Sequence, residues 1–332
     1  MIGLPSATAR PSTRRAAVVV ALGALSMGSA SLTAQQVVDT SFTPTGRTEP
    51  AFHAGRGPVV VIDEAHGNFH TAAGRYRPFA KWLEADGFVV QAGTARFDST
   101  SLASARVLVI ANAVAPENRA ASGWKLPAHS AFDATEIAAV TAWVRRGGSL
   151  LLIADHLPFA GAADSLAIAL GIAFANGFAI PPFGPDQRTG DYPIVFRRGS
   201  GLIRHPITDG RSPRERIDSI VSFTGSAFWR TRALVEPSDL MRLPAGTRVR
   251  LPVVAWQFSD STPEISGEGL AQGAVFRLGR GRVAVFGEAA MFSAQIKGPS
   301  RVPMGMNAPD AAQNPQFVLN VLHWLVGLLP DR

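Results

Sequence analysis

Hydrophobic and polar positions along this chain follow two rhythms. Val59 to Ile62 are four β-branched residues in a row, the pattern of a strand buried on both faces inside a parallel sheet. Over 73–86 the rhythm changes. Tyr76, Phe79, Ala80 and Leu83 fall at i, i+3, i+4 and i+7, which predicts a helix with one apolar face, stopped by Gly87. Phe88 to Val90 predicts a second strand, completing a βαβ unit with its right-handed crossover. Arg106 to Ala111 reads as a third buried strand and Leu150 to Ile153 as a fourth. Between them lies a long loop, 113–132, a candidate rim or lid. A helix follows it, opened by the capping box Asp133–Glu136, with Ile137, Val140 and Val144 on its inner stripe. Residues 160–175 read as a small-residue helix of the kind that packs closely on a sheet.

From 176 to about 270 the pattern shifts to proline- and glycine-rich loops and short strand-like runs at 194–196, 217–223, 233–235 and 249–258. This predicts a β-rich insertion on an α/β core. The core resumes with a hairpin, 273–286, turned at Gly279-Arg-Gly281. A last helix is expected from Asn314 as cap and Pro315 at the first helical position, with Phe317, Val318, Val321, Leu322 and Leu325 inward.

Composition narrows the picture. There is no cysteine among the 332 residues, which excludes disulfides, thiolate metal ligands and a cysteine nucleophile. Residues 1–34 have the form of a secretory signal: Arg10, Arg14 and Arg15 open it, Ala16 to Leu32 is apolar and small, and Leu32-Thr33-Ala34 resembles a cleavage site. A single membrane anchor is the competing reading. The expectation is an exported, periplasmic or secreted protein with no membrane span once the signal is removed. With those three arginines set aside the net charge of +7 falls to +4, and no nucleic-acid signature remains. Residues 35–57 are polar and turn-rich and read as a flexible leader. The domain proper is then 58–330.

The candidate chemistry lies where the buried strands stop. The first ends in Asp63, Glu64, His66, Asn68 and His70, the third at Asn112, the fourth at Asp155 and His156, and the hairpin at Glu288. Parallel strands bring such ends together, and in an open α/β sheet ligands bind there. Asp63, His66, Asp155, His156 and Glu288 are the catalytic candidates; Glu64, Asn68, His70 and Asn112 are candidates for ligand binding. Carboxylates and imidazoles at one place could hold a divalent metal or run acid–base chemistry. Turn-capping is the plain alternative for each of them singly. His66 and His70 are four apart, but Gly67 and Asn68 make the stretch a loop, so that spacing does not argue for a metal. Ser293 lacks a nucleophile elbow. Trp124, Trp229 and Trp256 could stack on sugars or pack in the core.

Four stretches carry a family resemblance: Val140 to Ile153, His205-Pro-Ile-Thr-Asp-Gly210, Gly279 to Gly287, and Asn314 to Leu325 with its Asn320 and Trp324. In this order they resemble the class I glutamine-amidotransferase-like superfamily, nearest its trehalose-utilisation and gliding-motility branches. The resemblance implies a flavodoxin-like fold, a doubly wound, mostly parallel sheet. It does not carry glutaminase activity, because the position of the family's cysteine, after the fourth strand, holds Ala154-Asp155-His156. Two functions stay open on this reading. One is a non-catalytic domain for a small-molecule, carbohydrate or cell-envelope ligand. The other is a hydrolase or isomerase using the Asp/His/Glu cluster, with or without a metal.

Overall fold

The computed structural model describes residues 36–43, 49–186, 191–231 and 238–332. The expected signal at 1–34 and the expected strand at 233–235 lie outside the described residues. After a two-residue strand β1 (Val37–Val38), the α/β core runs β2 (Val59–Asp63), α1 (Arg77–Ala85), β3 (Val89–Gly93), β4 (Val107–Ala111), α2 (Ala134–Arg145), β5 (Ser149–Ile153) and α3 (Phe159–Leu170). Mostly antiparallel pieces follow: β6 (Ile172–Ala175), β7 (Phe178–Ile180), β8 (Pro193–Arg198), β9 (Gly201–Leu202), α4 (Pro206–Asp209), β10 (Ser219–Phe223), β11 (Ala227–Arg230), β12 (Ser238–Arg242), β13 (Arg248–Arg250) and β14 (Glu264–Ser266). The chain closes with β15 (Ala271–Leu278), β16 (Gly281–Phe286), β17 (Ala294–Lys297), β18 (Val302–Gly305) and α5 (Asn314–Val326).

The main sheet is ordered β10-β8-β9-β12-β15-β16-β5-β4-β2-β3, with β6 and β11 joined beside β15. Its five strands from β16 to β3 run parallel. Their buried runs explain this for β2, β4, β5 and β16, which are covered on both faces, while β3 at the sheet edge is partly exposed. Val60, Ile62, Val107, Val109, Leu151 and Ile153 face α1 and α5. Val61, Leu108, Ile110, Leu150, Leu152 and Val285 face α2 and α3. Burying each such side chain contributes about 1.5–3 kcal/mol. The register sets the strand ends level: Ile153 lies opposite Ala111 on one side and Phe286 on the other. The loops after β2, β4, β5 and β16 therefore leave the sheet along one edge.

Several elements differ from the sequence expectation, each for a local reason. Helix α1 starts at Arg77 because Pro78 is accommodated in its first turn, where a missing N–H costs nothing. The helix expected over 160–175 stops at Leu170: Gly171 takes φ +93°, and Ile172–Ala175 leaves to pair with β11. The run 249–258 is a strand only to Arg250, with Pro252 just beyond, and Val254 makes a lone bridge to Lys125. Asn314 is the first residue inside α5 rather than its cap, and its side chain accepts from Val221 N at 3.0 Å and donates to Val221 O at 2.7 Å. Within the expected leader, β1 pairs with β17, and Phe52 sits 5.1 Å from Phe88 while Ala51 N donates to Asp86. The described parts of that stretch are docked on the fold.

Candidate functional site

The first cluster grows out of β2. Its β-branched run ends at Asp63, fully buried, whose Oδ1 accepts from Ala65 N at 3.1 Å. This turn brings His66 back over the strand end, where its Nδ1 lies 2.9 Å from both Asp63 oxygens. Its Nε2 lies 2.8 Å from Oε1 of Glu136, in the first turn of α2. Arg96 then donates to Glu136 Oε2 at 2.8 Å and to Asp133. Phe97 and Phe132 cover the imidazole, with ring centres at 4.3 and 4.9 Å. An imidazole with a carboxylate at each nitrogen must donate from both, so it is held as the cation. Burial pulls the His66 pKa down, but Asp63 first and Glu136 second override it, and the net shift is upward. Glu136 is drawn below its usual range by Arg96 and then His66, against its own burial. The chain Asp63–His66–Glu136–Arg96 is satisfied internally, and no nitrogen of His66 is left for a ligand.

The neighbouring candidates shape the loops around it. Glu64 accepts from Ala72 N at 2.8 Å. Asn68 accepts from His66 N at 3.1 Å and donates to Ala111 O at 3.4 Å. Gly67, at φ +63°, has Val114 O where a Cβ would be only 2.8 Å away, so the turn needs glycine. Asn112, itself at φ +50°, accepts from Asp155 N at 2.9 Å and so links the ends of β4 and β5.

The second cluster begins at that link. Asp155 is part-exposed and caps the next turn, its Oδ1 accepting from His156 N at 2.8 Å. His156 Nδ1 is 2.8 Å from Leu157 O. A carbonyl can only accept, so the Nδ1 facing it carries a proton, and Nε2 is the nitrogen turned away from that bond. Nε2 has no partner among the described residues. Glu288, after β16, is 1 % exposed, and its oxygens accept from Ala290 N at 2.6 Å and Met291 N at 2.8 Å. Burial first and the Asp155 charge second nevertheless push its carboxyl well above the ordinary range. Burial, Glu288 and Asp155 likewise raise Tyr76, whose hydroxyl donates to Ala289 O at 3.1 Å. His70 packs on Tyr76 with ring centres 4.7 Å apart, and neither of its nitrogens has a partner among the described residues. Burial and the nearby Arg75 lower its pKa to about 3, so it is neutral.

Aromatic rings wall this second cluster. His156 stacks on Phe178 at 4.5 Å and 12° and meets Trp256 edge-on at 4.8 Å. Trp124 stands 6.1 Å away on the long 113–132 loop. That loop is tied to 251–258 by the Lys125–Val254 bridge and by Ala255 N donating to Trp124 O at 2.8 Å. Trp256, 40 % exposed and at φ +65°, is the outermost ring. Trp229 lies elsewhere, on β11. Two surface hollows, one between α2 and α3 and one beneath the β3 edge, include none of the second cluster's residues.

The five catalytic candidates thus divide. Asp63 and His66 join Glu136 and Arg96; Asp155 and Glu288 join Tyr76; His156 joins the rings. Among the described residues no three His, Asp or Glu side chains are grouped to hold a metal ion. Glu136, Arg96, Tyr76 and Phe178 were not singled out for a site in the sequence. Glu136 there carries a capping signal and Tyr76 a helix-stripe signal, and both are true of the structure without revealing the partners.

No protein-family model matches the chain, and no curated protein matches it. Solved structures do. One described as the mmIFT52 N-terminal domain is 13 % identical with a TM-score of 0.54, over 81 % of this chain and 97 % of that one. A protein described as ThuA-like from Bacteroides uniformis is 13 % identical, TM-score 0.44, over 84 % and 95 %. One described as a GMP synthase component from Thermoplasma acidophilum is 11 % identical, TM-score 0.35, over 81 % and 96 %. The neighbours thus include a ThuA-like protein and a GMP synthase component at low identity, and the likeness to the first shows a shared fold alone.

Proposed function

We propose that this chain is an exported, amidotransferase-like domain without glutaminase activity. It binds a carbohydrate or cell-envelope ligand at the carboxyl end of its sheet. In order of appearance, the parallel strands lie 2-1-3-4-5 across the sheet, the flavodoxin-like winding, whose ligands bind at that end. The absence of cysteine removes the family's nucleophile. The observation that carries the binding reading is His156: its Nε2 is unengaged, and its ring is fixed by Phe178 and by the exposed Trp256. An aromatic face beside a hydrogen-bonding group is what a sugar ring requires. Screening envelope glycans by tryptophan fluorescence and thermal shift tests it. Binding is expected for the native protein and strongly weakened in Trp256→Ala. If no glycan binds, or if Trp256→Ala binds as well as the native protein, the reading fails.

A second reading rests on the Glu288–Asp155 pair, in which burial and the Asp155 charge push the Glu288 carboxyl well above its ordinary range. In a hydrolase or isomerase Glu288 would be the acid, and Asp155 or His156 the base. A positioned acid–base group is worth about 100-fold or more, so turnover in His156→Ala should fall by at least that much. Unchanged turnover of any substrate found would remove this reading.

A further inference from the structure

The rings around His156 continue in both directions. On one side Trp124 meets Phe69 at 5.3 Å, and on the other Phe178 meets Phe258 at 5.2 Å. Phe69, Trp124, Trp256 and Phe258 are all at least partly exposed. They form a belt along the carboxyl edge, with spacings of 4.5 to 6.1 Å from ring to ring. Each end of the belt carries an arginine. The Arg75 guanidinium lies 3.9 Å over Phe69, and that of Arg250 lies 5.0 Å over Phe258.

These two arginines are placed alike. Neither makes a salt bridge among the described residues. Arg75 donates only to Gln36 O at 3.3 Å and Arg250 only to Ser259 O at 2.6 Å, while the Nε of each is buried without a partner. Elsewhere in the fold Arg96, Arg198, Arg211 and Arg282 all have carboxylate partners. A guanidinium stacked on a ring and lacking a counter-ion is arranged to meet an anionic group from outside. Asp155, adjacent to His156 in the chain, acts through its charge on Tyr76 and Glu288.

Building on the carbohydrate reading, we propose that the belt is an open platform for an extended acidic oligosaccharide. Its rings lie along Phe69, Trp124, Trp256 and Phe258, and its carboxylates or sulfates meet Arg75 and Arg250. Chain length matters on such a platform, since a single sugar covers one end only. Charge matters at the ends, since the middle offers aromatic faces and the unengaged Nε2 of His156.

Short oligogalacturonates, dimer to hexamer, and their methyl esters are suitable probes, titrated into the full protein by tryptophan fluorescence and calorimetry. The ester keeps the rings and removes the charge. Affinity should rise with chain length to a plateau, fall with added salt, and be weaker for the ester by about tenfold, as when a hydrogen bond to a charged group is lost. Arg250→Gln should shrink the difference between acid and ester, with its melting temperature showing that the fold is kept. Arg75→Gln gives the same test at the other end. Equal affinity for acid and ester, or an undiminished preference in Arg250→Gln, would overturn the proposal. If neutral glycans bind in a Trp256-dependent way and acidic ones no better, the charge argument falls and the carbohydrate reading stands. If no glycan of either kind binds, both fall.

Discussion

Two Asp/His pairs follow two parallel strands of the same sheet, and the chain treats them in opposite ways. Asp63 and His66 form a closed system: both imidazole nitrogens face carboxylates, and Arg96 neutralises the far one. Asp155 and His156 form an open one: the imidazole is anchored by Leu157 O, its other nitrogen is unengaged, and Asp155 remains part-exposed. Residue type and strand-end position are common to both. What separates them is whether a second element arrives to fill the remaining valences. Helix α2 brings Glu136 to the first imidazole, whereas among the described residues aromatic rings, and no carboxylate, contact the second. A closed pair holds a structure together; an open pair is available to a ligand.

The largest expected effect would come from breaking the closed pair. Asp63→Asn removes one carboxylate and leaves a buried imidazolium half-paired, which should cost about 3–5 kcal/mol of unfolding free energy. Asp155→Asn is nearly isosteric at a part-exposed position and should cost less than about 1 kcal/mol. Urea denaturation of both variants measures the gap. Equal losses would mean that Asp155 is as structural as Asp63, and the contrast would be gone.

Next in size is a pH effect of opposite sign at two histidines four residues apart. His66 has a raised pKa in the fold, so its stabilisation is complete below its unfolded value of 6.5 and is lost as pH climbs through the higher folded value. His70 is lowered to about 3 from 6.5, so the unfolded chain takes up its proton first and stability falls as pH drops below 6.5. At pH 5 the His70 contribution should amount to a loss of about 2 kcal/mol. His70→Phe should hold its stability at neutral pH, because an apolar ring replaces two unpartnered nitrogens, and should flatten the acid limb. Stability curves against pH, with the C2 protons of both rings followed by NMR, test this. An acid limb unchanged in His70→Phe would show that His70 finds partners in solution.

Much of this was legible in the residues. The β-branched runs from Val59, Val107 and Leu150 mark buried parallel strands, and the polar residues after them mark the edge where the site candidates sit. The capping box at Asp133–Glu136 is present in the structure as the sequence predicts. Its second role was hidden, because Glu136 is 70 positions from His66 and a local motif does not reveal a distant partner. The same limit hid Tyr76, which reads as one more residue on a helix stripe yet starts the turn beside Glu288. Strand β6 was lost to its helix-like composition, since Ile172-Ala-Phe-Ala175 becomes a strand only when β11 pairs with it. Local pattern therefore located the edge, while the division between closed and open pairs depended on contacts across the fold.

The smallest expected effect probes the outer limit of the closed pair. Arg96 ends the chain Asp63–His66–Glu136, but its side chain is 69 % exposed. Removing it by Arg96→Gln takes away an interaction that solvent and salt already weaken. The melting temperature should fall only slightly. The difference from the native protein should shrink further as salt shortens the screening length from about 10 Å at 0.1 M to about 3 Å at 1 M. The His66 resonance should move little, because Asp63 and Glu136 still face its two nitrogens. A large, salt-independent loss would instead place Arg96 inside the closed system, with Glu136 unable to stay ionised without it. The clamp would then extend to the loop after β3 rather than end at the first turn of α2.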